Sequence, residues 1–390
     1  MYRLPVPDLN CKPASAGLYI HIPFCLNKCP YCDFYSITDL SSKEKCIQAL
    51  LSEMDLYEGI SQSFDSIYFG GGTPSLLSPD EISQILRRVF LDFTIKTDTE
   101  ITLEVNPGTI DYEKLSRYKK AGINRLNIGV QSFSEKSLKF LGRIHSAEQS
   151  RTAIETARRS GFDNVGIDLI YCLPNQRPGD WEKELEQAIS YKPEHISCYT
   201  LTVEPGTPLS ESMRNGLYTP LNEDLSRDMF LFTISFLKAY GYTQYEISNF
   251  FRAGGQDEPD FRSRHNRKYW DFKPYLGLGP SAHSFLKSHR FWNHSSVLHY
   301  IQALREKKFP VAAYEKIDYE KYRIETVLLG LRKKEGIHLK SYRQQFGRSL
   351  PEDKILRLQN SGCLYLYKDR CALTPEGMCV LDGICELLIG

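Results

Sequence analysis

Tyr19-Ile-His-Ile-Pro-Phe-Cys-Leu-Asn-Lys-Cys-Pro-Tyr-Cys-Asp-Phe34 places three cysteines, Cys25, Cys29 and Cys32, in a C-x3-C-x2-C array directly after a short β-like run. Three thiolates can hold three irons of a [4Fe–4S] cluster. Full protein ligation takes four cysteines, and no fourth stands in this stretch. The iron left over is an open position for a small chelating molecule, and an amino acid group, with its amine and carboxylate, fits it. Two blander readings compete. Zinc could be held by the three thiolates and His21, but zinc sites usually pair two separated ligand pairs, and no second C-x2-C follows downstream. Three inert core thiols would leave unexplained the glycine-rich and polar strand ends that follow in order.

Composition narrows the class. A formal net charge of +1 gives no hint of nucleic acid or an acidic membrane as partner. No apolar run reaches membrane-spanning length, and the opening MYRLPVPDLNCK lacks a signal-peptide core. A cytoplasmic, reducing compartment is therefore expected, with the 11 cysteines as thiols or metal ligands rather than disulfides. Cys363, Cys371, Cys379 and Cys385 match no metal-ligand spacing and read as buried thiols, as do Cys11, Cys46, Cys172 and Cys198.

Outward from the cysteines, the chain alternates. Strands are expected at Leu18–Ile22, Ser66–Phe69, Glu100–Val105, Arg125–Val130, Asn164–Tyr171 and His195–Thr202. Each precedes a helical pattern: Ser41–Tyr57, Pro79–Phe90, Asp111–Lys120, Glu148–Ser160, Trp181–Ser190 and Asn222–Tyr240. Such alternation predicts a parallel sheet with helices outside. Six units fall short of the eight of a closed barrel, so the fold class is α/β, a partial, open (βα)6 barrel whose open flank could admit a large substrate.

Ligands of such barrels bind at the C-terminal strand ends. There stand Gly70-Gly-Gly-Thr-Pro74, Glu104, Gln131 with the following Arg143, and Asp168. The glycines let backbone N–H groups approach a ligand, and no Gly-Lys-Ser/Thr follows to make a P-loop. Asp168 sits inside the apolar strand Val165-Gly-Ile-Asp-Leu-Ile-Tyr171, where an unpaired charge is costly. It either binds a ligand or forms a buried salt bridge, with Arg143 as candidate partner.

The cysteine array resembles the signature of the radical S-adenosylmethionine (SAM) superfamily. That resemblance implies the same partial barrel, a [4Fe–4S] cluster on Cys25, Cys29 and Cys32, and SAM at the open iron. The chemistry it implies is electron transfer from the reduced cluster to the SAM sulfonium, giving a 5'-deoxyadenosyl radical. More specifically, Tyr19–Cys25, Phe69–Ser75, Leu103–Gly108, Gly129–Phe133, Gly142-Arg-Ile-His145 and Asp168–Pro174 resemble the oxygen-independent coproporphyrinogen III oxidase (HemN) family and its HemW branch. The match runs from about residue 17 to the end. It implies a SAM site lined by Tyr19, Tyr31, Gly71, Gly72, Thr73, Glu104, Gln131, Arg143 and Asp168.

Two departures separate the branches. Oxidases of the family carry a fourth cysteine two positions after the third, where this chain has Phe34, and a substantial segment before the motif, where this chain has the short lead Met1 to Gly17. Both match the HemW branch of heme chaperones. So does Arg264-His-Asn-Arg-Lys-Tyr-Trp270, which resembles the HNxxYW motif of that branch. It is a candidate heme handle: His265 as iron ligand, Tyr269 and Trp270 as flat apolar faces, and Arg264, Arg267 and Lys268 for propionates. The bland reading is a packed loop in which His265 only hydrogen-bonds. Leu276-Gly-Leu-Gly-Pro-Ser-Ala-His283 reads as a turn closing the barrel side of the SAM site. His283, His289, His294 and His299 receive no ligand role.

The domain reading is a radical SAM barrel over 1–250, an extension with the HNxxYW segment over 251–310, and an α+β, winged-helix-like domain over 311–390. No basic patch accompanies the last, so DNA binding is not expected. The function expected is a heme chaperone delivering to a respiratory hemoprotein, with an electron donor for the cluster and a homodimer as an open option. The alternative is radical oxidative decarboxylation of coproporphyrinogen III, so enzymatic activity is left open. A zinc-stabilised binding barrel is the third reading.

Overall fold

Apolar residues at every second strand position, alternating with amphipathic helices, build one curved sheet in the computed structural model, which describes residues 15–254 and 259–390. Strands β1 (Ala16–Ile22), β2 (Ser63–Gly71), β3 (Thr94–Val105), β4 (Arg125–Gln131), β5 (Val165–Tyr171) and β6 (His195–Thr200) lie side by side in chain order, each parallel to the next. Leu18, Ile20, Ile67, Phe69, Leu103, Leu126 and Ile167 are buried in the main core. The intervening positions are polar and stand in register: Tyr19 beside Tyr68, Glu104 beside Asn127, Asp168 beside Ser197. The barrel is thus greasy under its helices and polar within.

Local chemistry sets the helix limits. Ser78 and Glu81 form a capping box with Pro79 at the start of helix Pro79–Asp92, and Ser146 with Gln149 does the same for Ala147–Arg159. Helix Tyr112–Ala121 stops at Gly122, whose φ of 114° suits glycine. These six units and their order are those expected from the sequence.

The sheet continues past both expected edges. β7 (Tyr242–Gln244) and β8 (Asn249–Arg252) form a hairpin whose β8 pairs antiparallel with β6. On the other side β9 (Tyr275–Leu278) runs parallel to β1, followed antiparallel by β10 (His283–Leu286), β11 (His289–Asn293) and β12 (Val311–Lys316), giving a 12-stranded sheet. The stretch expected as a turn, Leu276 to His283, is therefore partly strand. Such short, mixed segments carry too little periodicity to be recognised alone.

Residues Arg264–Trp270 form a short helix across the N-terminal ends of β1 to β3. Ser263 caps it, and the Glu100 carboxylate accepts from the backbone N–H groups of Arg264 (3.0 Å) and His265 (3.1 Å).

From Tyr319 a second core begins. Val327, Leu331, Tyr342, Phe346, Leu364, Cys371 and Cys385 pack together. Helices Tyr319–Arg332, Leu339–Phe346 and Glu352–Asn360 precede the hairpin Leu364–Tyr367 and Arg370–Leu373, in winged-helix order. It joins the barrel through Arg332, which reaches buried Glu246 (3.0 Å) and lies over the Trp270 ring at 4.4 Å. Cys46, Cys172, Cys198, Cys371 and Cys385 are buried as expected. Cys363 and Cys379 are only half-buried, and Cys11 lies outside the described residues. Among the described residues no helix is long and apolar enough to cross a membrane.

Candidate functional site

The three motif cysteines sit in the loop after β1, all partly exposed. Backbone bonds fix that loop: Cys25 N–H donates to Ile37 O (3.0 Å), Cys32 N–H to Cys29 O (3.1 Å), and Thr73 N–H to Phe24 O (2.7 Å). The glycine-rich end of β2 is pressed against it. A Cβ on Gly72 would lie 2.6 Å from Phe24 O and 3.0 Å from Cys25 Sγ, and one on Gly142 would meet Pro30 Cδ at 2.6 Å. Gly72 and Gly142 therefore have a packing reason beyond ligand approach: they let three loops close around the thiols.

Donors converge on those sulfurs. The Thr73 hydroxyl lies 3.5 Å from Cys25 Sγ, and Arg143 Nη1 lies 3.5 Å from Cys29 Sγ. Arg143 Nη2 donates to Gly129 O (3.1 Å), while its Nε is buried without a partner among the described residues. A guanidinium and a hydroxyl aimed at sulfur suit thiolate rather than thiol. His21 is committed elsewhere: Nε2 donates to Tyr35 O (2.9 Å), which leaves Nδ1 to accept from the Tyr19 hydroxyl (3.2 Å). Among the described residues no three His, Cys, Asp or Glu side chains gather closely enough for a single metal ion. With both His21 nitrogens engaged and two donors aimed at the sulfurs, the donor set suits a cluster held by the three cysteines rather than a zinc site with His21.

Inside the mouth stand the two carboxylates. Tyr68 OH donates to Glu104 Oε1 (2.7 Å), and burial pushes the Glu104 pKa up to about 7, partly offset by that hydrogen bond. Asn127 Nδ2 donates to Asp168 Oδ2 (2.6 Å), while Asp168 Oδ1 is buried without a partner among the described residues. Burial raises the Asp168 pKa too, against a hydrogen bond from Ser197. The salt bridge to Arg143 considered for Asp168 does not form. Gln131 adopts φ 64° at an irregularity between β4 and β5, and its amide makes no hydrogen bond among the described residues. A left-handed glutamine at a strand end is local strain of the kind found at ligand sites. Tyr31 and Arg143 lie together at the edge of the cysteine loop, where burial raises the Tyr31 pKa and the guanidinium partly offsets it.

Sequence reasoning missed Arg125. It is 1% exposed on the inner face, its charge partly offsets the burial that raises the pKa of Glu104 and Asp168, and its Nε has no partner among the described residues. It reads in the sequence as a surface charge opening a strand. The signal was its i, i+2 spacing with Asn127, which puts both on one face.

The HNxxYW residues lie at the opposite end. His265 is buried against Gly17 and Ser66, at the starts of β1 and β2. Its Nδ1 pairs with Ser66 Oγ (3.0 Å) and its Nε2 with Tyr269 OH (3.1 Å), and it stacks on Tyr68 at 5.1 Å. Burial drops its pKa to about 3, so it is neutral. Lys268 Nζ reaches Asp65 (2.6 Å) and Ser15 O (2.8 Å), and Trp270 is covered by Arg332.

Comparison with known proteins places this geometry. A radical SAM superfamily domain matches residues 19–188, and a HemN C-terminal domain matches 319–380. The heme chaperone HemW of Bacillus subtilis is 36% identical over 95% of this chain and 98% of its own, and that of Lactococcus lactis 33% identical over 96% and 97%. The chain belongs to the HemW family. The HemW of Escherichia coli is 39% identical over 70% of either chain. The solved Escherichia coli coproporphyrinogen III oxidase HemN, described as a radical SAM enzyme, superposes with a TM-score of 0.82, covering 97% of this chain and 91% of that one. At 22% identity that likeness shows a shared fold. Membership of the radical SAM superfamily implies a [4Fe–4S] cluster and SAM, and the donor set in the HemW-family mouth is chemically suited to both.

Proposed function

We propose that this HemW-family chain takes up heme and hands it to an acceptor hemoprotein, respiratory in kind, in the cytoplasm, while holding a [4Fe–4S] cluster and SAM at the barrel mouth. The observation that carries the reading is identity along nearly the whole chain to heme chaperones of two bacteria. Phe34 supports it: where oxidases of the family have a fourth cysteine, this chain presents a phenyl ring 69% exposed.

In this reading Cys25, Cys29 and Cys32 ligate the cluster, and Thr73 and Arg143 offset thiolate charge. Tyr19, Tyr31, Gly71, Gly72, Thr73, Glu104, Gln131, Arg143 and Asp168 surround SAM. The free oxygen of Asp168 and the Glu104 carboxyl accept from ribose hydroxyls or the amine, and the unengaged Gln131 amide orients the ligand. When bound, cluster and SAM together supply one-electron cleavage of the sulfonium. Arg125 partly offsets the burial that raises the pKa of both carboxylates. An external electron donor completes the partners, with a homodimer as an open option. Tyr269 and Trp270 lie on the helix nearest the heme in this reading.

The test uses the full-length chain with its cluster reconstituted anaerobically. It is titrated with hemin, cleared of free hemin, and mixed with the apo form of a b-type hemoprotein. Saturable hemin binding followed by movement of the Soret band to the acceptor fits a chaperone. Absence of saturable binding would contradict it.

A further inference from the structure

We propose that heme docks edge-on in the cleft between the Arg264–Trp270 helix, the β9–β11 face and helix Tyr319–Arg332, with His283 as its iron ligand. The inference rests on the chaperone reading and assigns it a site that the HNxxYW motif alone does not.

The cleft encloses about 240 Å³. Its walls are aromatic: Tyr269 meets Tyr275 at 4.7 Å and Phe272 meets Phe285 at 4.9 Å, both edge-to-face, at 73° and 87°. Such walls offer flat apolar area to a macrocycle. Pockets that enclose a small molecule span roughly 300–1,000 Å³, so this one grips an edge and leaves the rest in solvent. That is what a carrier needs in order to release its load.

Two groups on the rim are uncommitted. His283 is exposed, its ring stacks on Trp292 at 5.5 Å, and neither nitrogen has a hydrogen bond among the described residues. Desolvation and then Arg290 lower its pKa, which favours the neutral imidazole, the form that binds iron. Lys273 is exposed and makes no ion pair among the described residues, which leaves it free for a propionate. Arg290, by contrast, is already held by Glu315 (2.8 Å) and Glu325 (2.6 Å) and serves as wall.

His265 cannot match this. It is 1% exposed, with both nitrogens engaged. Its partner Tyr269, however, forms part of the cleft. The HNxxYW histidine is therefore a positioning residue: it holds Tyr269 at the cleft from inside the barrel. Because β9 pairs with β1, Tyr275 beside Gly17 and Gly277 beside Tyr19, the cleft lies on the same curved sheet as the candidate SAM residues.

The test is hemin titration of the full-length chain, read by absorption and magnetic circular dichroism. His283→Ala is expected to lose the imidazole-ligated signature and bind hemin about tenfold more weakly, and added imidazole is expected to restore the signature. His265→Ala is expected to keep it. Lys273→Ala, on the exposed rim, is expected to weaken hemin but not hemin dimethyl ester, and it stands as an independent check should His283→Ala fail to fold. An unchanged signature in His283→Ala, its loss in His265→Ala alone, or equal effects of Lys273→Ala on both porphyrins would overturn the site while wild-type binding preserved the chaperone reading. Absence of saturable hemin binding to wild type would overturn both.

Discussion

The mouth and the floor of this barrel use the same side chains, histidine, tyrosine and carboxylate, in opposite ways. At the floor most strong groups are satisfied, with the buried Trp270 indole N–H, unpartnered among the described residues, as an exception. His265 spends both nitrogens, Glu100 caps two backbone N–H groups, and Lys268 has an acid and a carbonyl. At the mouth the groups are left short. Asp168 Oδ1 and Arg143 Nε have no partner among the described residues, and Gln131 is held at φ 64°. Buried polar groups are ordinarily paired, so unpaired ones point to a missing ligand. The floor is architecture, and the mouth is prepared for something to bind.

Substitutions should separate the two ends. The largest effect is expected from Cys29→Ala, which removes the sulfur facing Arg143. Iron and sulfide content after anaerobic reconstitution should collapse while urea unfolding of the apo chain barely moves. His265→Ala should do the reverse. It strands Ser66 and Tyr269 in the core, costing about 2–4 kcal/mol, with iron content per folded chain unchanged. A drop in iron content without a stability loss would erase the distinction.

Glu104 gives a pH signature. Its pKa is about 7 in the folded chain against 4.5 for an ordinary carboxyl. Between those values the folded state binds more protons than the unfolded one, so stability falls as pH rises through the window. The loss is on the order of 1–3 kcal/mol. Urea midpoints of the cofactor-free chain at about pH 5 and about pH 8 should show it, and Glu104→Gln should flatten that part of the profile. A profile identical in the variant would place the titration elsewhere. The smallest effect is expected from Phe34→Cys. The ring is exposed, so stability should stay within about 0.5 kcal/mol, iron per chain should hold, and no coproporphyrinogen III should be consumed.

Much of the mouth was legible in the sequence because its chemistry is local. Cysteine spacing, the triple glycine and a lone aspartate in an apolar strand are visible residue by residue, and six buried strands announce themselves by composition. The floor was not legible. Histidine serves equally as ligand and as satisfied core residue, and only the path of the chain after β8 shows that His265 enters the barrel from below. The edge strands β9 to β12 were invisible for a related reason. Each is held by its neighbours more than by its own pattern, so Tyr275, Phe285 and His283 meet only after the sheet has formed. Arg125 escaped notice because an interior charge inside a polar barrel looks like any strand-opening arginine.

The most direct test of the central claim is one anaerobic incubation of the cluster-reconstituted chain with SAM, reductant and, in separate reactions, coproporphyrinogen III or heme. A chaperone leaves coproporphyrinogen III unchanged, retains heme through gel filtration and yields it to an apo-hemoprotein. Protoporphyrinogen formed in proportion to 5'-deoxyadenosine would make the chain an oxidase despite Phe34 and contradict the account.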